Sequence, residues 1–239
     1  METERSESSS SAPPEAPGMM LQVLDGAYLQ VLNGFGFFPS AEAVAAEYLA
    51  HNNNDVRRAA ADLINWQMTK AATSGFLTNI GGAATLPISI PANISSVLYL
   101  QLRMIASIAI LGGHDVRSDK VRTLVYVTLL GSAAADILKE AGIHLGQKLT
   151  VAAITKITGL VARKMATSAA ARLLGKLGLS SARNFMKLVP VAGGLVAAAT
   201  DAGATKTIGV VATKLFIGEE PAATGKSLDA TLGTQSVGV

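Results

Sequence analysis

The chain has 239 residues, of which 49% are hydrophobic and only 15% are charged, and its mean hydropathy is +0.38. Since a typical soluble domain has about 25% charged residues, these values exclude a disordered chain and a coiled coil. They leave a globule of buried helices or a membrane-associated protein. The absence of cysteine excludes disulfides, iron–sulfur clusters and thiol nucleophiles, and three scattered histidines predict no metal or cofactor site.

The N-terminal region begins with residues 1–18, which are rich in Ser, Glu and Pro and contain no apolar run. This composition predicts a disordered tail and no secretory signal. Residues 19–58 have the pattern of short helices, the first between Met19 and Leu32. A third helix is expected to run through Trp66 to about residue 73. The predicted N-caps of the second and third helices are Ser40 and either Asn54 or Asp55.

An uncharged stretch of 32 residues, 71–102, comes next. Its length would allow a membrane span of about 20 residues. Glycines, prolines and polar side chains interrupt it, however, and Arg103 follows in the same helical pattern. We therefore favour a break followed by a helix that begins at Pro91 and ends at Gly112-Gly113.

The remaining chain is helical in composition. Ser118 predicts the start of a helix to Ala141, and residues 144–178 are helical but interrupted by glycines. Residues 188–217 form an apolar block in which Gly194, Ala198 and Ala202 recur every four residues, a spacing that lets helices approach closely. Residues 219–239 are expected to form a flexible tail. With no alternating strand pattern, the prediction is an all-α fold, a single compact bundle of Gly/Ala-rich helices between disordered tails.

Charge is distributed unevenly along the chain. Residues 1–65 carry a net charge of −6, whereas residues 139–187, which we call the basic segment, carry +8. Such a segment suggests an anionic partner, although it could also be a solvated face balanced by the acidic N-terminal region. Phe185 is its only aromatic residue, which argues against nucleic acid. The candidate residues for an anionic surface are Lys148, Lys156, Arg163, Lys164, Arg172 and Lys176.

Several polar residues lie in or at the ends of apolar helices. This candidate polar cluster consists of Gln101, Arg103, Asp115, Arg122, Asp136 and Asp201. Because an isolated buried charge is costly, the simplest interpretation is a set of internal ion pairs, in which Arg103 or Arg122 meets Asp136 or Asp201 and fixes helix register. The alternative is a binding or catalytic cluster in an apolar cavity. His114, next to Asp115, could act as an acid–base pair only if the fold brought a substrate there.

Two blocks of sequence resemble the EcsC protein family over about residues 60–218. The first comprises Trp66-Gln67, Lys70, Ser74-Gly75-Phe76, Gly81-Gly82, Thr85-Leu86-Pro87, Ile90-Pro91, Gln101-Leu102-Arg103, Ile108-Ala109, Gly113-His114-Asp115, Arg122 and Gly131. The second comprises Val189-Pro190-Val191-Ala192-Gly193-Gly194, Asp201, Thr205, Ile208-Gly209 and Phe216. His114 stands where relatives commonly have Tyr, which weakens a catalytic role for it.

The resemblance implies an EcsC-like helical domain over residues 59–218 but no mechanism. The family is named after a gene in a bacterial operon that encodes an ABC transporter and affects exoprotein secretion and competence. Its members have no agreed biochemical activity, and membrane association is a common supposition.

Three functions follow as hypotheses. The first is a non-enzymatic, cytoplasmic, peripherally membrane-associated protein that binds anionic lipid or a membrane- or secretion-related partner, and that could also self-associate. The second is a soluble module that binds a lipid or other hydrophobic ligand between helices. The third is a hydrolase-like enzyme that uses Asp115, Asp136 or Asp201 with Arg103 or Arg122; it requires these side chains to converge on one cleft.

Overall fold

The computed structural model describes residues 16–72 except 35 and 37, residues 92–176 and residues 194–219. The elements over these ranges are all helical, which confirms the all-α prediction. They are α1 (Ala16–Asn33), α2 (Ala41–His51), α3 (Val56–Ala72), α4 (Ala92–Leu111), α5 (Asp119–Thr128), a 3₁₀ turn (Gly131–Ala133), α6 (Ala134–Glu140), α7 (Val151–Lys156), α8 (Gly159–Lys176) and α9 (Gly194–Phe216).

Helix α4 lies at the centre of the bundle. It packs against α1, α2, α3, α5 and α9, and Leu102, Met104, Ile105 and Ile108 on it are completely buried. A helix enclosed on several sides has no polar face to maintain, which explains why α4 carries Arg103 as its single charge. The N-terminal helices belong to the same bundle, since α1 packs against α4 and α8.

Local sequence signals set several helix ends as predicted, although the Ser118 side chain makes no capping hydrogen bond at the start of α5. The Ser40 hydroxyl accepts a hydrogen bond from the Ala43 amide at the start of α2, and the Asp55 carboxylate accepts two from the first turn of α3. At the end of α4, Gly113 has a φ of 84°. The His114 amide there donates to the Ala109 carbonyl, the pattern of a glycine C-cap.

Two predicted boundaries were wrong. Helix α1 begins at Ala16, so three residues that we assigned to the N-terminal tail belong to the helix. Pro17 fits there because proline is compatible with the first turn of a helix. The helix predicted from Ser118 to Ala141 is divided, because Gly131 adopts a φ of 63° between α5 and α6. A side chain at Gly131 would contact Thr207 and Ile208 of α9, so packing against α9 accompanies the break.

The C-terminal end of α9 is held by donors from three other parts of the chain. Its last three carbonyls accept hydrogen bonds from the Gly146 amide, the Leu149 amide and His114 Nε2, over 3.3, 3.3 and 2.9 Å. Beyond the helix, Arg57 donates to the Gly218 carbonyl. Since the final carbonyls of a helix have no intrahelical partners, these contacts satisfy them and fix α9 to α3 and to the loops after α4 and α6.

Close packing of α9 on α3 depends on Gly209. A Cβ atom at this position would lie 2.5 Å from Cγ1 of Ile64, well inside the normal contact distance of about 3.5–4.0 Å. The small residues that we singled out, Gly194, Ala198 and Ala202, lie in the first turns of α9, where the backbone but not the side-chain environment is described.

No helix within the described ranges combines the length and the apolar character that crossing a bilayer requires. Some predictions lie outside those ranges. They are the character of residues 1–15 and 220–239, the break before α4, and the environment of the Asp201 side chain.

Candidate functional site

The candidate polar residues do not pair with one another within the described ranges. Asp136 accepts from Arg172 over 3.4 Å, and Asp115 accepts from the backbone amide of Arg117. Gln101 is partly buried on α4. The pairing that we considered between Arg122 and Asp136 is therefore replaced by a different partner for each.

Arg122 belongs to a polar network that ties α1 to α5. Its Nη2 lies 2.9 Å from Asp119 and its Nε 3.7 Å from Asp25, and the Tyr126 hydroxyl donates to Asp25 over 2.7 Å. Burial, followed by the hydrogen bond to Asp25, raises the pKa of Tyr126, so this group stays a neutral donor. Partly exposed ion pairs of this kind contribute about 0–1 kcal/mol each. The network therefore orients two helices rather than preparing a catalytic group.

Among the residues that the structure describes, Arg103 has no such acidic partner. Its Nε and Nη1 are buried and donate no hydrogen bond within the described ranges. The nearby Tyr99 hydroxyl is also buried and forms no hydrogen bond there. The guanidinium carbon lies 5.4 Å from the ring centre of Phe38 and 5.7 Å from that of Tyr99. Burial lowers the pKa of Arg103, an effect that Tyr99 and then Tyr48 oppose.

Burying the Arg103 guanidinium costs more free energy than its two aromatic contacts return. A desolvated cation–π contact contributes about 2 kcal/mol, whereas taking an ion out of water costs several kcal/mol unless hydrogen bonds replace its hydration. Two rings do not offset that cost in full. The described residues place no carboxylate within ion-pair distance of Arg103, so its charge is not locally neutralised.

His114 has a structural position. Its Nε2 lies 2.9 Å from the Phe216 carbonyl, which makes Nε2 the protonated nitrogen of the neutral ring because a carbonyl only accepts. Burial lowers the pKa of His114, while the Phe216 carbonyl opposes this shift and Lys148 adds to it. The ring also packs against that of Phe216. Because one nitrogen is committed to holding the end of α9, an acid–base role for His114 with Asp115 gains no support.

The six candidate basic residues are all exposed. Lys164 lies 3.9 Å from Glu140 and Arg172 3.4 Å from Asp136, and both pairs lie at the surface. Lys148, Lys156, Arg163 and Lys176 form no ion pair with the described residues. The basic segment therefore keeps most of its charge facing solvent.

Exposed apolar side chains lie within this same segment. Leu160 is 82% exposed and Val151 is 74% exposed, the two highest values among the large hydrophobic residues that the structure describes. Leu160 shares the outer face of α8 with Arg163, Lys164 and Thr167, at the spacing i, i+3, i+4 and i+7. The opposite face of α8 packs against α1 and α5. We call residues 151–164 the basic corner.

A surface groove of about 310 Å³ lies between α3 and α9. Its charged groups already have partners, since Lys214 pairs with Glu219 over 2.7 Å and Arg57 donates to the Gly218 carbonyl. The described residues contain no cluster of His, Asp or Glu that could hold a metal ion. The described lining of the groove therefore contains no buried polar group that lacks a partner in the way that Nε and Nη1 of Arg103 do.

Sequence reasoning missed several of the residues that matter. The Asp119–Arg122 pair and the Tyr99–Arg103 contact follow helical spacings and were visible in the sequence. Asp25 and Phe38 were not, because they meet Arg122 and Arg103 across long separations in the chain. The exposure of Leu160 also had no local signal.

Comparison with known proteins agrees with the sequence resemblance. A model of the EcsC protein family matches residues 45–217, so the match begins within α2 and ends just after α9. No curated protein and no solved structure matches the chain. Since the family match covers well over half of its length, the chain belongs to the EcsC protein family.

Proposed function

We propose that this protein binds anionic lipid surfaces peripherally through the basic corner, as a non-enzymatic protein at the cytoplasmic face of a membrane. The observation that carries the proposal is the coincidence of two independent features, since the two most exposed large apolar side chains of the described residues fall in the most basic part of the sequence. A surface that presents apolar side chains among lysines and arginines suits the boundary between headgroups and acyl chains.

The side chains of the basic corner are expected to contribute several kcal/mol to the free energy of membrane binding. Each Lys or Arg near an anionic membrane adds about 1 kcal/mol of attraction, so Lys156 and Arg163 together supply about 2 kcal/mol, and Lys164, which lies 3.9 Å from Glu140, adds less. Insertion of the Leu160 side chain adds up to about 1.5–3 kcal/mol. An acidic partner protein could recognise the same charges, but a membrane also accounts for the exposed Leu160 and Val151.

Vesicle flotation of the purified full chain tests the proposal. We expect binding to phosphatidylcholine vesicles that contain phosphatidylglycerol and little binding to phosphatidylcholine alone. Raising NaCl from about 50 mM to about 500 mM should weaken it because salt screens exposed charges. No binding to anionic vesicles at low salt would refute the proposal.

Two matched pairs of variants locate the surface. Leu160→Asp should weaken binding at least about tenfold, whereas Leu29→Asp, at a leucine of α1 that is 57% exposed, should have little effect. Lys156→Glu should weaken binding roughly 10- to 30-fold, and Lys206→Glu on the exposed surface of α9 should change it much less. Equal effects within either pair would show that binding follows total charge or hydrophobicity and not this surface.

A further inference from the structure

We propose that Arg103 binds the oxyanion of an amphiphilic ligand, a monoanionic carboxylate or phosphodiester attached to an apolar chain. The proposal concerns a site on α2 and α4 and the loop between α1 and α2, and does not depend on the basic corner. Its starting point is a guanidinium with two sealed nitrogens that have no hydrogen-bond partner and with no carboxylate in reach among the described residues.

The donors at this site match an oxyanion. A guanidinium offers its N–H groups in a planar fork that fits the paired oxygens of a carboxylate or phosphate. The Tyr99 hydroxyl, one helical turn earlier, is a further buried group without a partner. Arg103 is partly exposed as a residue, while its Nε and Nη1 are sealed from solvent. An oxyanion that bonds to Nε or Nη1 therefore requires the side chains around the guanidinium to shift.

The surroundings favour a single negative charge with an apolar body. Aromatic rings of Phe38 and Tyr99 cover the guanidinium, and they would pack against an apolar chain but cannot hydrate a small ion. Among the described residues, Arg103 is the only base that acts on the pKa values of both Tyr99 and Tyr48. A single cation balances one negative charge, so a dianion such as free phosphate at high pH would be poorly balanced at this site.

Calorimetric titration of the delipidated full chain tests this site. The probes are dodecanoate, dodecan-1-ol, dihexanoyl phosphatidylglycerol and inorganic phosphate. We expect the wild type to bind dodecanoate or the phosphatidylglycerol and to bind dodecan-1-ol and inorganic phosphate at least about tenfold more weakly. The tighter of the first two ligands identifies the source of the oxyanion. Failure of both to bind, or equal binding of inorganic phosphate, would overturn the proposal.

Variants at Arg103 separate a ligand anchor from a structural residue. Arg103→Met should weaken binding of the anionic probe about 10- to 100-fold while leaving dodecan-1-ol unaffected, and Arg103→Lys should bind with intermediate affinity because it keeps the charge but loses the fork. Arg58→Met, at an exposed arginine of α3, should bind as the wild type does.

A stability measurement on the ligand-free protein provides the second readout. If Arg103 awaits a ligand, the ligand-free Arg103→Met protein should melt at or above the wild-type temperature, because an unpaired charge has been replaced by an apolar chain of similar length. A melting temperature several degrees lower would show that the guanidinium is paired within the chain and would overturn the proposal. Leu160→Asp should still bind dodecanoate, so failure of one proposal can be distinguished from failure of the other.

Discussion

Gly209 offers the sharpest test of how the helices pack. Replacing it with alanine places a Cβ atom 2.5 Å from Cγ1 of Ile64, with Cδ1 at 2.8 Å and Cγ2 at 3.0 Å. Cγ1 and Cγ2 are attached directly to Cβ of Ile64, so a change at the tip of that side chain cannot relieve the overlap. Either Ile64 adopts another rotamer in a buried site or α3 and α9 move apart.

The expected magnitude follows from two opposing terms. Overpacking in a buried site costs about 1–3 kcal/mol, while alanine gains about 0.5–1 kcal/mol over glycine in the middle of a helix. Gly209→Ala should therefore lower the free energy of unfolding by about 1–2 kcal/mol. For a chain of this size that corresponds to a melting temperature lower by about 2–8 °C.

The same helix contains a matched control. Gly203 is exposed, and a Cβ atom there would meet nothing within 4 Å. Gly203→Ala should therefore keep the helix-propensity gain of about 0.5–1 kcal/mol and stabilise the protein. Thermal and urea denaturation followed by circular dichroism would measure both variants.

A double-mutant cycle with Ile64→Ala makes the reasoning refutable. The Ile64→Ala substitution should itself cost about 2–4 kcal/mol through the cavity that it leaves. In that background, Gly209→Ala should be neutral or stabilising, which gives a coupling energy of at least about 1 kcal/mol. If Gly209→Ala destabilises equally in both backgrounds, or matches Gly203→Ala, the contact with Ile64 does not govern this interface.

Two further predictions concern polar groups. Because burial lowers the pKa of His114 below 6.5, the unfolded chain takes up this proton first, and the free energy of unfolding should decrease as the pH falls below about 6.5. His114→Gln, which keeps a donor for the Phe216 carbonyl, should reduce this decrease in urea titrations at several pH values, and an unchanged slope would contradict the assignment. Tyr126→Phe removes the hydrogen bond to Asp25 and should lower the melting temperature by about 2–4 °C. Tyr99→Phe removes a hydroxyl without a partner and should lower it little or not at all; equal losses would refute the distinction.

The sequence predicted those helix ends whose signals lie within a few residues. Ser40, Asp55 and Gly113 act on backbone groups of the adjacent turn, so their chemistry can be recognised without the fold. The break at Gly131 could not be recognised in that way, since the residues nearest to it across the interface, Thr207 and Ile208, lie far along the chain. Contacts between distant parts of the chain also decided which glycine brings α9 close to α3.

The candidate site shows the same division. The sequence identified Arg103 and Arg122 as charges in apolar surroundings, and both lie partly buried. It could not say which of them is paired, because Asp25 reaches Arg122 from another helix while no described acid reaches Arg103. The exposure of Leu160 depends on where α8 lies against α1 and α5, which helical periodicity alone does not determine.

Most of the described residues that carry the resemblance to the EcsC family have evident packing or capping roles. Phe216 ends α9 and accepts a hydrogen bond there through its carbonyl, Gly209 admits Ile64, and Asp115 accepts a hydrogen bond from its own loop. Arg103 is different, because its contacts with two aromatic rings do not offset the cost of burying a charge that no described acid neutralises. If such a residue stabilised only the fold, replacing it with methionine would be harmful. A binding role for Arg103 instead predicts that the ligand-free protein tolerates the change to methionine. The stability of the Arg103→Met variant therefore distinguishes the two roles.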